Sequence, residues 1–219
     1  MLEIKELLDL TKTIAAPLFE GKTYPWEVLP DITDFIIELG NTLPEDEFEQ
    51  RSENVWVAKD ATVFPSVYIG SPCIIDHGAE VRHCAFIRGS AIIGKNTVVG
   101  NSTEIKNSIL FDNVQAPHYN YIGDSVLGYK SHMGAGSITS NVKSDKTLVV
   151  IKSCEGEIET KRKKVGAILG DGVEIGCNSV LNPGTILGRG ASIYPTSCVR
   201  GVIPENGIYK DKDNIVIRK

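Results

Sequence analysis

The sequence predicts an all-β solenoid, a parallel β-helix of six-residue repeats that follows a short α-helical segment. Glycine is abundant, at 21 of 219 residues, whereas aromatic residues make up only 7%. Apolar residues recur in steps of six without a break, and the same step returns after an interruption. The first series is Val57, Val63, Ile69, Ile75, Val81, Ile87, Ile93, Val99, Ile105 and Phe111, and the second is Leu169, Ile175, Leu181, Leu187, Ile193 and Val199.

Each hexad predicts one short strand and one tight corner, with the large aliphatic side chain in the interior. A small or β-branched residue usually stands two positions earlier, where the chain turns. Those positions are Ala61, Val67, Cys73, Ala79, Ala85, Ala91, Thr97, Thr103 and Ile109. Three hexads form a coil of 18 residues, so the first series predicts three complete coils. A β-sandwich is the alternative, but its alternating strands do not hold a constant step of six.

The segment before the repeats has a different composition and predicts a helical N-terminal cap over residues 1–54. One helix is expected from Glu3 to about Ile14, ending before Pro17. A second is expected from Asp31, as N-cap, to Gly40, because apolar residues recur at helical spacing between them. We expect these helices to cover the open first coil, with a partner-binding arm as the alternative.

The β-helix is predicted over residues 55–205, followed by a C-terminal tail over 206–219. An inserted loop over residues 139–164 suspends the repeat. This loop carries four acidic and seven basic residues, the latter being Lys143, Lys146, Lys152, Lys161, Arg162, Lys163 and Lys164. It is therefore a positive segment in an acidic protein, and it is long enough to reach a neighbouring subunit.

Charge and composition exclude several classes of partner. The formal net charge of −5 gives no general attraction to nucleic acid or to an anionic membrane. No apolar run is long enough to span a bilayer, and the N-terminus lacks a basic leader, so we expect a cytoplasmic protein. Five scattered cysteines predict reduced thiols that act as small packing residues rather than a disulfide or zinc site: Cys73, Cys84, Cys154, Cys177 and Cys198.

The residue that follows each large aliphatic residue is commonly glycine, but at two of these positions it is a cation. Arg88 and Lys106 differ by 18 positions, so they are expected on one face in adjacent coils, about 4.8 Å apart. Stacked like charges repel each other unless an anion lies between them. We therefore interpret the pair as a phosphate site, with two side chains that splay into solvent as the alternative.

A third irregularity surrounds His118, in the segment VQAPHYNYIGD. Pro117 takes the repeat position, but the next repeat residue, Ile122, follows after only five residues. A local break that holds a histidine and two tyrosines favours a place for chemistry. A histidine that hydrogen-bonds at a corner is the alternative.

Several runs together resemble a known family: IRGSAIIGKNTVVGNSTEIK, then PHYNYIGDSVLG, then MGAGSITSN. They are similar to hexapeptide-repeat acyltransferases, which form left-handed parallel β-helices and homotrimers. In particular, residues 57 to 205 resemble the acetyltransferase half of the bifunctional enzyme that acetylates glucosamine 1-phosphate and then uridylylates it. The resemblance implies a general base at His118, acetyl-CoA as co-substrate, and no metal. It implies phosphate binding by Arg88, Lys106 and Tyr121, and sugar or acetyl-CoA binding by His132, Asn141, Lys146, Gly136, Cys177 and Pro195.

This chain also departs from the family pattern. His132 stands where the family has an asparagine, Cys177 stands where it has a serine, and Lys146 is shifted by one position. No Gly-rich nucleotide loop is present, and 54 residues are too few for a nucleotide-binding α/β domain. We therefore expect uridylyl transfer to require a separate nucleotidyltransferase partner.

The chemistry implied is acetyl transfer to the amine of a hexosamine 1-phosphate, for which His118 would accept the proton. Backbone N–H groups at Gly134, Ala135 and Gly136 would stabilise the oxyanion. One alternative is a non-catalytic trimeric scaffold that binds sugar nucleotides. Another is a zinc carbonic anhydrase of the same fold, but the expected local ligand is replaced by Gly123.

Overall fold

Short parallel strands stack into three sheets along most of the chain. The structure, a computed structural model, describes residues 2–153 and 156–218. The strands, in chain order, are β1 (Phe48–Ser52), β2 (Val55–Ala58), β3 (Thr62–Val63), β4 (Tyr68–Ile69), β5 (Cys73–Ile75), β6 (Glu80–Val81), β7 (Phe86–Ile87), β8 (Ala91–Ile93), β9 (Val98–Asn101), β10 (Glu104–Lys106), β11 (Ser108–Leu110), β12 (Gln115–His118), β13 (Tyr121–Gly123), β14 (Val126–Leu127), β15 (His132–Met133), β16 (Ile138–Thr139), β17 (Val150–Ser153), β18 (Gly156–Glu159), β19 (Ala167–Leu169), β20 (Glu174–Ile175), β21 (Val180–Leu181), β22 (Thr185–Leu187), β23 (Ser192–Ile193), β24 (Cys198–Val199), β25 (Val202–Ile203), β26 (Gly207–Asp211) and β27 (Asn214–Ile217).

The three sheets form the faces of a solenoid, because consecutive strands of the chain belong to different sheets. Sheet A has the order β1-β2-β5-β8-β11-β14-β19-β22-β25, sheet B has β27-β26-β23-β20-β15-β12-β9-β6-β3, and sheet C has β24-β21-β16-β13-β10-β7-β4. Within each sheet the repeating strands pair in parallel. The predicted all-β solenoid of parallel strands is confirmed.

The interior is filled as the repeat predicts. Ile75, Ile93 and Ile105 are fully buried, and small residues such as Ala79 and Ala91 are buried as well. In the first coil, where no further coil covers the end, residues 63 and 69 are only partly buried.

The number of residues per coil is not constant along the solenoid. The coils become shorter at a different position from the one predicted from the sequence. Ile75 pairs with Ile93, an interval of 18, but Ile93 pairs with Leu110, an interval of 17. Val99 pairs with Ala116, so the predicted irregularity at residue 117 is wrong. One residue is missing from the corner after Lys106, and one is missing again a coil later, after Gly123. In sheet C, Ile105 accordingly pairs with Ile122 and Ile122 with Thr139, at intervals of 17.

Serine hydroxyls close these tighter corners. Ser108 Oγ donates to Lys106 O at 2.9 Å and accepts from the Ser125 N–H at 3.1 Å. Ser125 Oγ donates to Gly123 O at 2.8 Å. The hydroxyls thus satisfy buried backbone groups at the corner, which allows each turn to use one residue fewer.

The N-terminal helices pack on the outer face of sheet A, whereas β1 pairs with β2 at the end of the first coil, so the predicted placement of the helices is wrong. Helix α2 (Ile32–Gly40) packs on β5 and β8. Farther along the face, Asn107 Nδ2 donates to Leu29 O at 3.2 Å and the Asp112 N–H donates to Lys12 O at 3.0 Å. The middle strands of sheet A are therefore buried on both sides, which is why β5, β8, β14 and β19 are apolar at every position.

The second predicted helix is confirmed as α2, whereas the first is much shorter than predicted. Helix α1 spans Ile4–Leu7 and is followed by separate 3₁₀ turns, Leu10–Lys12, Ala16–Phe19 and Pro25–Val28. The Asp171 N–H donates to Leu7 O at 3.0 Å, and the Asp9 N–H donates to Asp171 Oδ2 at 2.8 Å. Because the coil binds these backbone groups, α1 does not continue through them.

The insertion folds back on its own chain. Its strands β17 and β18 form an antiparallel hairpin, and Val149 and Ile151 are fully buried. A Cβ on Gly184 would lie within 3.0 Å of both side chains, so the hairpin packs tightly on a late coil. Regular coiling resumes where Val126 pairs with Ile168.

The predicted C-terminal tail is partly regular, because β26 extends sheet B and β27 pairs with it. Of the cysteines, Cys73 is fully buried, as predicted for a packing residue. Cys84, Cys177 and Cys198 are exposed free thiols, so the packing role is wrong for them. Cys154 lies outside the described residues. None of the described helices has the length and apolar content to cross a membrane.

Candidate functional site

Three predicted site residues meet around a carboxylate at the corner between sheets C and A. Asp124 accepts hydrogen bonds from Lys106 Nζ at 3.2 Å, from Asn107 Nδ2 at 2.9 Å and from Asn141 Nδ2 at 2.5 Å. Asn141 Nδ2 also lies 3.2 Å from Tyr121 Oη, to which it donates. We call Lys106, Asn107, Tyr121, Asp124 and Asn141 the Asp124 cluster.

Asp124 and Asn107 were not among the site residues predicted from the sequence. Asp124 follows Lys106 by 18 positions, but it is one residue beyond the register partner of Lys106, which is Gly123. Because this coil is one residue shorter than the repeat predicts, the Asp124 carboxylate lies at the corner just beyond the strand and not directly beside Lys106. A charged residue in the column of a predicted phosphate site is the signal that would have found it.

Arg88 lies one coil before Lys106, in the predicted register, since its N–H donates to Ile105 O at 2.8 Å. The two cations do not share an anion. Arg88 Nη1 binds Glu104 Oε1 at 2.9 Å, whereas Lys106 binds Asp124. Carboxylates of the protein itself thus relieve the repulsion that suggested a phosphate.

Tyr121 enters the Asp124 cluster as a neutral phenol. Burial raises the pKa of Tyr121, and the nearby charges of Asp124 and Glu104 raise it further, while the Asn141 hydrogen bond lowers it. Because Tyr121 Oη accepts from Asn141, its proton remains to be donated to a ligand oxygen.

Four other predicted residues follow one another along the corner between sheets B and C. The Gly136 N–H donates to His118 O at 3.0 Å, and the Thr196 N–H donates to Cys177 O at 2.8 Å. The side chains of His118 and Cys177 are exposed, and so is Pro195. This corner therefore groups His118, Gly136, Cys177 and Pro195.

The Asp124 cluster and the His118 group lie at opposite ends of the strands of sheet C. The His118 group lies where the chain enters sheet C, and the Asp124 cluster lies where it leaves. Lys106 pairs with Gly123, which is five residues beyond His118 along the chain. Within one protomer the structure therefore does not bring His118 to the Asp124 cluster. Lys146 joins neither group, because it ends an exposed turn in which its N–H donates to Lys143 O at 3.0 Å.

The predicted oxyanion donors are in large part already engaged. The Gly134 N–H donates to Ile175 O at 2.8 Å, and the Gly136 N–H donates to His118 O. The prediction is wrong for these two groups, because coil-to-coil pairing uses the N–H groups that a catalytic site would need.

His132 has a carboxylate partner that the sequence did not reveal. Its Nδ1 lies 2.8 Å from Glu174 Oε2, and the two residues pair in register on the outer face of sheet B. A histidine held at one ring nitrogen by a carboxylate presents the other nitrogen for proton transfer. The insertion lies between His132 and Glu174 in the sequence, so the 18-residue interval of one coil does not predict that they meet.

The fold and these corners define a hexapeptide-repeat β-helix with polar clusters at its corners. Comparison with known families gives a more specific result. Residues 71–187 match the family described as the GMPPB C-terminal domain, and since this is more than half of the sequence, the chain belongs to that family.

Curated relatives agree with the predicted resemblance. The bifunctional protein GlmU of Methanococcus maripaludis is 35% identical over 114 residues, which cover 51% of this chain and 27% of the relative. A bifunctional sugar-1-phosphate nucleotidylyltransferase/acetyltransferase of Sulfurisphaera tokodaii is 34% identical over 92 residues, covering 42% and 23%. The match thus spans about a quarter of the length of these relatives, and it confirms the family that the motifs predicted.

Solved structures show more distant likeness. A putative acetyltransferase from Bacillus cereus is 17% identical, with 74% of this chain and 76% of the other covered and a TM-score of 0.41. The acetyltransferase domain of PglB from Neisseria gonorrhoeae, in complex with acetyl coenzyme A, is 15% identical, with 74% and 56% covered and a TM-score of 0.34.

Proposed function

We propose that this protein is an acetyl-CoA-dependent N-acetyltransferase that acts on a hexosamine 1-phosphate, with glucosamine 1-phosphate as the preferred acceptor. The proposal is carried by the convergence of Lys106, Tyr121 and Asn141 in the Asp124 cluster. A cation, a phenol and an amide in one place suit an acceptor that has both hydroxyl groups and a phosphate. The acetyltransferases among the relatives support the reaction class.

In this reaction the acceptor amine attacks the thioester carbonyl, the C–S bond breaks, and CoA leaves as the thiol. The amine must lose a proton as the C–N bond forms, and a general base accelerates that step. His118 is the proposed base, because its exposed imidazole lies at the same corner as Gly136, Cys177 and Pro195, the proposed acetyl-CoA contacts.

The proposed base and the proposed acceptor site lie at opposite ends of the strands of sheet C. This separation favours an active site that is shared between protomers. We propose a homotrimer in which His118 of one protomer faces the Asp124 cluster of the next. A closed threefold ring repeats the same contact three times, so three equivalent sites would form.

The test is release of CoA thiol from acetyl-CoA, measured with glucosamine 1-phosphate, glucosamine 6-phosphate and glucosamine. The proposal expects release that is fastest with the 1-phosphate and is strongly reduced in Asn141→Ala and Tyr121→Phe. Lys146→Ala is the matched control, since this exposed residue lies apart from both corners. Absence of thiol release with every acceptor would overturn the proposal.

One observation favours a second function, a non-catalytic scaffold that binds sugar nucleotides. Arg88 and Lys106 already hold Glu104 and Asp124, so a substrate phosphate must compete with these carboxylates. A protein that binds a sugar nucleotide in equilibrium dialysis but releases no thiol would support this function.

A further inference from the structure

The basic run of the insertion borders a groove next to the Asp124 cluster. The groove is lined by residues 161–164 (Lys161, Arg162, Lys163 and Lys164), by Lys106, Asn107 and Asp124, and by Leu29 and Pro30 of the N-terminal segment. We call this feature the basic groove. Its volume of about 460 Å³ is in the range of sites for small molecules.

The basic groove has an excess of positive charge. Five cations line it, and its one lining carboxylate, Asp124, binds Lys106. Over residues 2–153 and 156–218, no carboxylate forms an ion pair with residues 161–164, and Arg162 Nε is buried without a hydrogen-bond partner. Consecutive like charges repel each other, and a buried guanidinium N–H without an acceptor is costly.

Backbone hydrogen bonds hold the basic run in position. The Val149 N–H donates to Arg162 O at 2.8 Å, and Lys164 forms an isolated antiparallel bridge with Val142. Just beyond, the Val165 N–H donates to Asn141 O at 3.1 Å. The charged side chains therefore project from a fixed backbone, which reduces the ordering cost of binding an anion.

We propose that the basic groove binds a diphosphate, either free pyrophosphate or the diphosphate of a nucleotide. Four consecutive cations line the groove together with Lys106, so more positive groups are present than one phosphate would engage, and two adjacent phosphates match them better. Arg162 supplies planar paired donors, and the lysines supply point charges. The acidic overall charge and the compact groove disfavour a long nucleic acid. The groove shares Lys106, Asn107 and Asp124 with the proposed acceptor site, whereas residues 161–164 have no part in the proposed acetyl transfer.

The experiment is calorimetric titration of the full chain with pyrophosphate, orthophosphate, UDP, ADP and CoA at two salt concentrations. Pyrophosphate should bind about tenfold more tightly than orthophosphate, and its affinity should fall with added salt. The Lys161→Gln/Lys163→Gln double variant should weaken pyrophosphate binding by about tenfold and reduce the salt dependence.

The matched control is Lys143→Gln/Lys152→Gln, which removes two charges from the same insertion. These lysines pair with Asp145 at 3.5 Å and Glu157 at 2.9 Å, so their loss should leave the affinity within about twofold. Equal weakening in both double variants, or equal affinity for orthophosphate and pyrophosphate, would overturn the proposal, because net charge alone would then explain binding.

The nucleotide titrations identify the source of the diphosphate. UDP or ADP binding at least as tightly as pyrophosphate, with the same sensitivity to the double variant, supports a nucleoside diphosphate. CoA binding with that sensitivity supports the co-substrate. Pyrophosphate binding does not require catalysis, so loss of thiol release would leave the result of this titration intact.

Discussion

Lys106 Nζ lies 3.2 Å from Asp124 Oδ2, and the Asp124 side chain is only 2% exposed. Asn107 and Asn141 donate to the same carboxylate. Asp124 therefore has a cation and two amides as partners, and Lys106 is part of a structural ion pair as well as of the proposed acceptor site.

Lys106→Met should destabilise the protein by about 3 kcal/mol, because it leaves a buried carboxylate without its cation. The double variant Lys106→Met/Asp124→Asn should recover much of that loss. Arg88→Met is the control, since Arg88 and Glu104 are 45% and 33% exposed, and its cost should stay below about 1 kcal/mol. Urea denaturation measures all three, and equal costs for the two single variants would contradict the prediction.

His118→Ala should lower kcat by roughly 10² to 10⁴ and leave KM for the sugar phosphate nearly unchanged, because a base acts in the transition state. His132→Ala and Glu174→Gln provide the comparison, measured as pH–rate profiles of thiol release. If His118→Ala keeps its activity while both variants of the His132–Glu174 pair lose it, the reaction stands and the base is His132.

Mixing two inactive variants tests whether the active site is shared. A refolded equal mixture of His118→Ala and Asn141→Ala should recover about a quarter of wild-type activity, because random assembly pairs two intact contributions at one site in four. Light scattering should show a trimer for each variant. A mixture that stays inactive, or a monomer at all concentrations, counts against the shared site.

Asp76→Asn should make the protein more stable than wild type at neutral pH. Asp76 is fully buried, and burial raises its pKa above the ordinary value of 3.8, although the His77 N–H and the charge of Lys95 lower it. Below pH 3.8 both the folded and the unfolded states hold the proton, so no stability is lost there.

As the pH rises above 3.8, the unfolded state ionises first, and stability falls until the pH passes the folded pKa. The stability advantage of the variant should therefore increase over that interval and then become constant. Urea midpoints at a series of pH values measure it, with Asp213→Asn at an exposed position as the control. A pH-independent difference between Asp76→Asn and wild type would refute the prediction.

The corner residues show how far sequence analysis reaches at the candidate site. The spacing of Arg88 and Lys106 predicted their stacking correctly, because an 18-residue coil separates them. The ion pairs that they form were not predicted, because spacing places Asp124 in the same column as Lys106 but does not show that its carboxylate turns toward the ammonium group and not into solvent. The Glu174 partner of His132 was hidden for a different reason, because the insertion separates the two residues in the sequence.

The sequence by itself determined the solenoid. A step of six residues places every large aliphatic side chain at the same point of a coil, and burying those side chains stabilises only a stack of parallel strands. It also determined helix α2, whose apolar residues recur at helical spacing.

Only the tertiary structure decided where the N-terminal segment packs, how long each coil is and which charges meet. The position of the N-terminal segment, for example, depends on the hydrogen bond from the Asp9 N–H to Asp171 Oδ2, between residues 162 positions apart. Such bonds leave no periodic trace in the sequence, because their partners are brought together by stacking and not by spacing. The repeat thus specifies the scaffold, while contacts between coils specify the chemistry at its corners.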